Sequence, residues 1–317
     1  MPLTKYGNLV PYYTVKQYNN AVYQITKFYH FYDHVRFGDK SSEHDIDGKF
    51  ASSISRARSM VKEYGFCNPW NYFVTLTLDA KKYDRYDLGK FKADLQQWVR
   101  DERKRHKLIY GREGRLIVLF VPETHKDGAW HLHGLVGGLP IEDTKLFDPK
   151  LHPKDLVDGG FLNWPRYSKK FGFCSLGKIR DTNATILYTC KYISKSMSEM
   201  VGGKGSHMYM ASRGLERARP VADIYETRLD LDSYLTHHGE FCSTGMIFGE
   251  HPDSFFARLE GNGTDFLVEQ NNWLGLASAV APDDDDDFNA EDIDPSLDEV
   301  YFQMMMEEYY GQTIHSS

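Results

Sequence analysis

The stretch RLIVLFVPETHKDGAWHLHGLV, residues 115–136, constrains the fold of this chain more than any other. Two runs rich in apolar and β-branched residues, RLIVLFVPE (115–123) and AWHLHGLV (129–136), flank a short link ending in Asp127-Gly128, a strong hairpin signal. An antiparallel pair therefore stands near the middle of the sequence. The register depends on the turn. A three-residue loop Lys126-Asp127-Gly128, with glycine left-handed, pairs His125 with Ala129 and sets Glu123 opposite His131; a two-residue loop sets Thr124 there and turns Glu123 away.

Around the hairpin, Phe50, Ile54, Ala57 and Val61 predict a helix over about 47–63, and NYFVTLTLD (71–79) reads as a strand after the Asn68-Pro69 turn signal. Leu88, Phe91, Leu95 and Trp98 mark a helix over 88–107 with one face on a sheet. Residues 140–170, with four prolines and paired glycines, read as a loop-rich insertion. FGFCSLGKI (171–179) reads as a strand, and NATILYTCKYISKSM (183–197) as a helix capped by Asp181 or Thr182. This order predicts an α+β fold: a mainly antiparallel central sheet with flanking helices on one face. The expected organisation is an N-terminal extension with a helix (1–66), a central domain (67–220), a C-terminal region (221–280) and an acidic, disordered tail (281–317).

Charge divides the chain in the same way. Residues 71–220 carry 27 Lys/Arg against 17 Asp/Glu, whereas residues 221–317 carry 2 against 22, so the formal net charge of -7 conceals a basic centre. A basic centre suits a phosphate-binding surface, and a solvated charged face remains the alternative. The four widely spaced cysteines contain no CxxC, which argues against a disulfide framework or a cysteine-rich zinc finger. The start lacks a signal-peptide pattern and no run is long and apolar enough to span a membrane, so a cytoplasmic protein without membrane partners is expected.

Candidate chemistry sits in two places. With thirteen histidines, an HxH pair arises by chance about half the time, so HLH means little alone. On a strand, however, His131 and His133 project from one face while Leu132 points to the other. With Glu123 opposite His131, two imidazoles and a carboxylate can share a cation. That ligand mixture suits Mg²⁺ or Mn²⁺, and its types do not exclude zinc. The alternative is a pair of histidines hydrogen-bonded within a polar sheet face. The second place is YTCKYISK (188–195): at helical spacing Tyr188, Lys191, Tyr192 and Lys195 fall opposite Ile186, Cys190, Ile193 and Met197. A phenol is a weak nucleophile at neutral pH unless a base or cation stabilises its anion, which neighbouring lysines can do. A Tyr/Lys face that merely covers the surface is the competing account.

FVTLTLD (73–79), HLHGL (131–135) with Glu123 eight residues upstream, and YTCKYISK, in that order, resemble the HUH endonuclease superfamily. Within it, the chain is similar to the two-tyrosine rolling-circle replication initiators of small single-stranded DNA phages and related plasmids. The resemblance covers about residues 50–215, including MASRGL (210–215), and implies an HUH/RRM-like palm. It implies His131, His133 and Glu123 as ligands of a divalent metal ion, Tyr188 and Tyr192 as nucleophiles, and Lys191 and Lys195 as their accompanying lysines. The activity implied is site-specific nicking and rejoining of single-stranded origin DNA through a 5′-phosphotyrosine. No GxxxxGK[ST] is present, GGKGSH (202–207) being nearest, so unwinding falls to a host helicase and replication machinery. Arg103, Lys104, Arg105 and Lys107, with Arg166, Lys169 and Lys170, are expected to track the DNA backbone, and Trp164 and Tyr167 to stack on bases. Another HUH transesterase, a relaxase or transposase, and a non-cleaving origin-binding regulator are the alternatives.

Overall fold

The computed structural model describes residues 12–28, 46–111, 115–197, 208–238, 242–249, 251–261 and 265–268. The acidic tail and GGKGSH lie outside the described residues. The chain divides into two compact units, one containing residues 60–216 and the other the described residues before and after that span. Strands β1 (Tyr13–Asn19) and β2 (Val22–Phe28) come first, and helix α1 (Ile46–Cys67) leads into the central unit.

The central unit contains β3 (Tyr72–Thr77), α2 (Leu88–Tyr110), β4 (Ile117–Thr124), β5 (Trp130–Gly137), β6 (Lys145–Leu146), α3 (Lys154–Asp158), β7 (Leu162–Asn163), α4 (Pro165–Lys170), β8 (Cys174–Lys178), α5 (Thr182–Met197) and β9 (Met210–Ala211). Its strands form one antiparallel seven-stranded sheet in the order β6-β7-β8-β3-β5-β4-β9. The α+β class and antiparallel sheet agree with the sequence reading.

Strand alternation sorts the two faces. Val74 and Leu76 of β3, Val118 and Phe120 of β4, and Leu132 and Val136 of β5 join Phe91, Leu95 and Trp98 of α2 in one buried core. Phe73, Thr75 and Thr77 point to the other face, where α5 brings Tyr188 and Tyr192 against Phe73. Helices therefore cover both faces, not one. The reason is that α5 buries two arcs: Ile186 and Ile193 are enclosed, and so is Tyr192.

The insertion at 140–170 is part of the sheet and core. Its β6 and β7 extend the sheet beyond β8, and α4 contributes Tyr167 to the α2 face. MASRGL closes the far edge: β9 pairs with β4, while the Ser212 hydroxyl accepts a hydrogen bond from Val118 N. Pairing satisfies an edge that would otherwise template further strands.

The second unit joins segments that the sequence separates widely. Strands β1 and β2 pair with β10 (Arg219–Glu226), β11 (His237–His238), β12 (Cys242–Phe248) and β13 (Asp265–Val268) in the order β11-β12-β2-β1-β10-β13. Helix α6 (Pro252–Gly261) contributes Phe255 and Leu259 to a core with Val15, Tyr23, Ile25 and Ile224. The stretches expected as an N-terminal extension and a C-terminal region thus share one sheet.

Candidate active site

The hairpin takes the three-residue register. His125 N donates to Ala129 O at 2.8 Å, Gly128 is left-handed at φ 80°, and Glu123 stands opposite His131. Glu123, His131 and His133 consequently occupy the same sheet face. Across β5 on the other side, Thr77 faces His131 and Thr75 faces His133. Their hydroxyls lie 3.0 and 3.1 Å from the respective Nδ1 atoms. A hydroxyl both donates and accepts, so each threonine orients its ring in either neutral tautomer. When Nδ1 donates, Nε2 is left with its lone pair free to ligate.

At His133 that outer nitrogen lies 2.8 Å from Glu123 Oε2. At His131 the buried Nε2 has no hydrogen-bond partner among the described residues. An orphaned buried polar atom costs about 1–3 kcal/mol, so this nitrogen favours a group that satisfies it, a water or a cation. Burial lowers the His131 pKa, and the neighbouring His125 and His133 lower it further, so the ring stays neutral at pH 7. Neutral imidazole is the ligating form. As the side chains stand, no three or more His, Cys, Asp or Glu groups among the described residues are arranged to hold a metal ion. The donor set nonetheless fits a divalent cation: a carboxylate, two imidazoles with oriented inner nitrogens, and one outer nitrogen already stripped of partners.

The tyrosine helix meets this face directly. The Tyr192 ring stacks on His133 with centroids 4.2 Å apart and planes 12° from parallel. The Tyr192 hydroxyl donates to the Tyr188 oxygen at 2.5 Å. Phe73 lies beneath both, with ring centroids 5.5 Å from Tyr188 and 6.4 Å from Tyr192. The two phenols are thus held as a pair at the histidines rather than on a solvent face away from the sheet. Lys191 is exposed. Lys195 lies on α5, but its side chain is outside the described residues.

Residues 71–197 match a family of replication-associated proteins, ORF2/G2P. The match runs from β3 through α5, covering every residue of the histidine and tyrosine cluster, and points to a role in DNA replication. Neither a curated protein nor a solved structure matches the chain.

The predicted DNA contacts fare differently. Trp164 and Tyr167 are fully buried in the α2-face core, Trp164 4.9 Å from Trp98 and Tyr167 5.1 Å from Phe171 between ring centroids. Neither offers a free ring to a base, which corrects the expectation that they stack on DNA. The apolar body of each ring won over its placement in a basic stretch. Arg105 and Arg166 are drawn to the buried Glu102: Arg105 Nε lies 2.9 Å from it and Arg166 Nη2 2.6 Å, while Arg105 also pairs with Asp143. Lys104 and Lys107 are exposed and Arg103 half-buried on α2, across the sheet from the histidines. Lys169 and Lys170 are exposed beside the end of β3, where the Tyr167 hydroxyl donates to Thr77 O at 3.3 Å.

Four residues that belong to the cluster were not among the predicted site residues. Thr75 and Thr77 were legible as alternate positions on β3, but only pairing with β5 shows which histidine each meets. His125 was placed by the same register that found Glu123, and its ring lies 5.1 Å from that of His131. Arg85, paired with Asp127 at 2.9 Å, adds a cation near the hairpin turn and had no signal in the sequence.

Proposed function

We propose that this protein is a site-specific single-strand DNA endonuclease and ligase that starts and ends rolling-circle replication. The observation that carries the reading is the hydrogen-bonded Tyr188/Tyr192 pair seated on His133, on one sheet face with Glu123 and His131. The match to replication-associated proteins supports the same setting. Glu123, His131 and His133 would hold a divalent ion, Mg²⁺ or Mn²⁺, which when bound supplies Lewis-acid stabilisation of charge on the scissile phosphate.

The protein's own groups define the nucleophile. Tyr188 is half-buried and its oxygen accepts the Tyr192 hydrogen bond, which holds that oxygen at the histidine face. The Tyr188 hydroxyl gives up its proton to solvent and its oxygen bonds to phosphorus as the bond to the 3′-oxygen breaks. That oxygen takes a proton and leaves as a 3′-hydroxyl, while the strand stays attached as a 5′-phosphotyrosine. Lys191 adds positive charge close to the incoming phosphate. Because the phosphotyrosine link retains the phosphodiester's bond energy, a 3′-hydroxyl can reverse the step without a nucleotide cofactor. Tyr192 then serves a second cut, and the 3′-hydroxyl it releases closes the circle on Tyr188. Strand separation is left to a host helicase.

The test is incubation of the full chain with Mn²⁺ and a random-sequence single-stranded DNA library, followed by a denaturing gel for covalent protein–DNA adducts. The wild type yields adducts whose sequences reveal the origin. Tyr188→Phe loses the first cut, Tyr192→Phe slows it about tenfold or more through the lost hydrogen bond, and the double variant yields none. Absence of any adduct, or an undiminished one from the double variant, overturns the proposal; DNA binding without an adduct would identify an origin-binding regulator.

A further inference from the structure

The ladder between β3 and β8 continues past the strand ends: Leu76 faces Cys174, and Thr77 N then donates to Phe173 O at 2.9 Å. Cys174 joins the α2-face core, and Phe173 immediately before it lies across from Thr77, which is itself paired with His131. His131 of β5, Thr77 of β3 and Phe173 just before β8 thus lie in one backbone row. Two strand spacings, roughly 10 Å, separate Phe173 from the histidine. Phe173 is 43% exposed.

Phe173 does not stand alone. Phe147 stacks on it with centroids 5.7 Å apart and planes 22° from parallel, and His152 lies 4.9 Å from Phe147. These rings, with Leu78, Asp79 and Lys82, line an open groove of about 490 Å³. Lys82 is held at its edge by the backbone carbonyls of Ser168 and Lys169, at 3.0 and 3.2 Å, and by Asp79 at 3.8 Å. Exposed Lys81, Lys150, Lys169 and Lys170 each lie within two residues of a lining residue. Asp79 is the carboxylate in the lining, and its pairing with Lys82 offsets its repulsion of a phosphate.

We propose that Phe173, backed by Phe147, is a stacking platform for an unpaired nucleobase next to the scissile phosphate, with the fringing lysines following the strand. The inference rests on the nicking reading above and names a subsite for its substrate. A single strand is the occupant that uses both halves of the groove, since every base offers a π-face and every link a charge. A duplex hides its base faces.

The experiment measures binding rather than cleavage, in full-length protein carrying Tyr188→Phe and Tyr192→Phe so that no chemistry intervenes. A fluorescein-labelled single-stranded oligonucleotide of random sequence is titrated by anisotropy, in parallel with base-free polyphosphate. Phe173→Ala weakens oligonucleotide binding about tenfold, Phe173→Trp restores it, and polyphosphate binding is unchanged. An unaltered thermal unfolding midpoint accompanies the alanine variant. Equal loss of both ligands, unchanged oligonucleotide affinity, or a shift in oligomeric state without a shift in affinity would overturn the platform. Failure of the adduct assay with Phe173-dependent binding intact would remove nicking alone.

Discussion

Two threonines and two histidines account for much of what the candidate site can do. Thr75 and Thr77 sit directly across from His133 and His131 and fix their inner nitrogens. Replacing either threonine with valine keeps the shape and removes the oxygen. If the histidines hold a cation, each replacement weakens Mn²⁺ binding about 10- to 100-fold. Titration of free Mn²⁺ by electron paramagnetic resonance reads this without any DNA, and unchanged affinity would remove the threonines from the site. A second residue-scale outcome concerns His106. Its ring is buried, its Nε2 is 3.0 Å from an Asp143 oxygen, and burial followed by the Arg105 charge holds its pKa below the usual histidine value. The unfolded chain therefore takes up this proton first as pH falls. Stability contributed by neutral His106 is complete above about pH 6.5 and declines through the window below it. Urea midpoints measured at pH 7 and pH 5 should fall more for the wild type than for His106→Asn.

At the scale of elements, the hairpin's glycine and the buried carboxylate of α2 each hold two segments together. A Cβ on Gly134 would stand 1.9 Å from Leu119 O and 2.9 Å from Phe120 Cα, both backbone atoms of β4. The glycine behind HLH is thus required for β4 to approach β5 closely enough to set Glu123 beside the histidines. Gly134→Ala should cost about 3 kcal/mol or more in chemical denaturation, because backbone rather than a flexible side chain must move. Glu102 ties α2 to α4 through Arg166 and to the 141–143 turn through Arg105 and its partner Asp143. Since both guanidinium groups retain some access to water, Glu102→Ala should cost about 2 kcal/mol rather than the larger penalty of stranding fully buried charges.

At the scale of the whole molecule, residues 60–216 carry the complete candidate site on their own sheet and core. A fragment spanning those residues should unfold in one cooperative transition and, if the full chain binds Mn²⁺, retain that affinity. Loss of cooperativity in the fragment would make the flanking sheet a requirement for the site. That flanking sheet is where sequence reading carried least. YTVKQYN alternates as a strand should, but its partner β10 begins at Arg219, about two hundred residues away, and no local pattern announces such a pairing. The insertion was obscure for another reason: its strands are two residues long, too short to carry a period.

Local chemistry was legible in the sequence wherever one element or one turn determined it. The alternation of HLH set two imidazoles on one side, Asp127-Gly128 narrowed the register to two choices, and the helical spacing of YTCKYISK paired the phenols. Tertiary structure decided what these groups face. Packing of α5 against the sheet turned Tyr192 onto His133, and the ladder with β3 gave each histidine its threonine. Burial withdrew Trp164 and Tyr167 and left Phe173 at the surface. Side-chain period follows from backbone geometry, which a few neighbouring residues fix. Exposure and partnership depend on which distant surfaces close over a residue, and a linear pattern does not contain them.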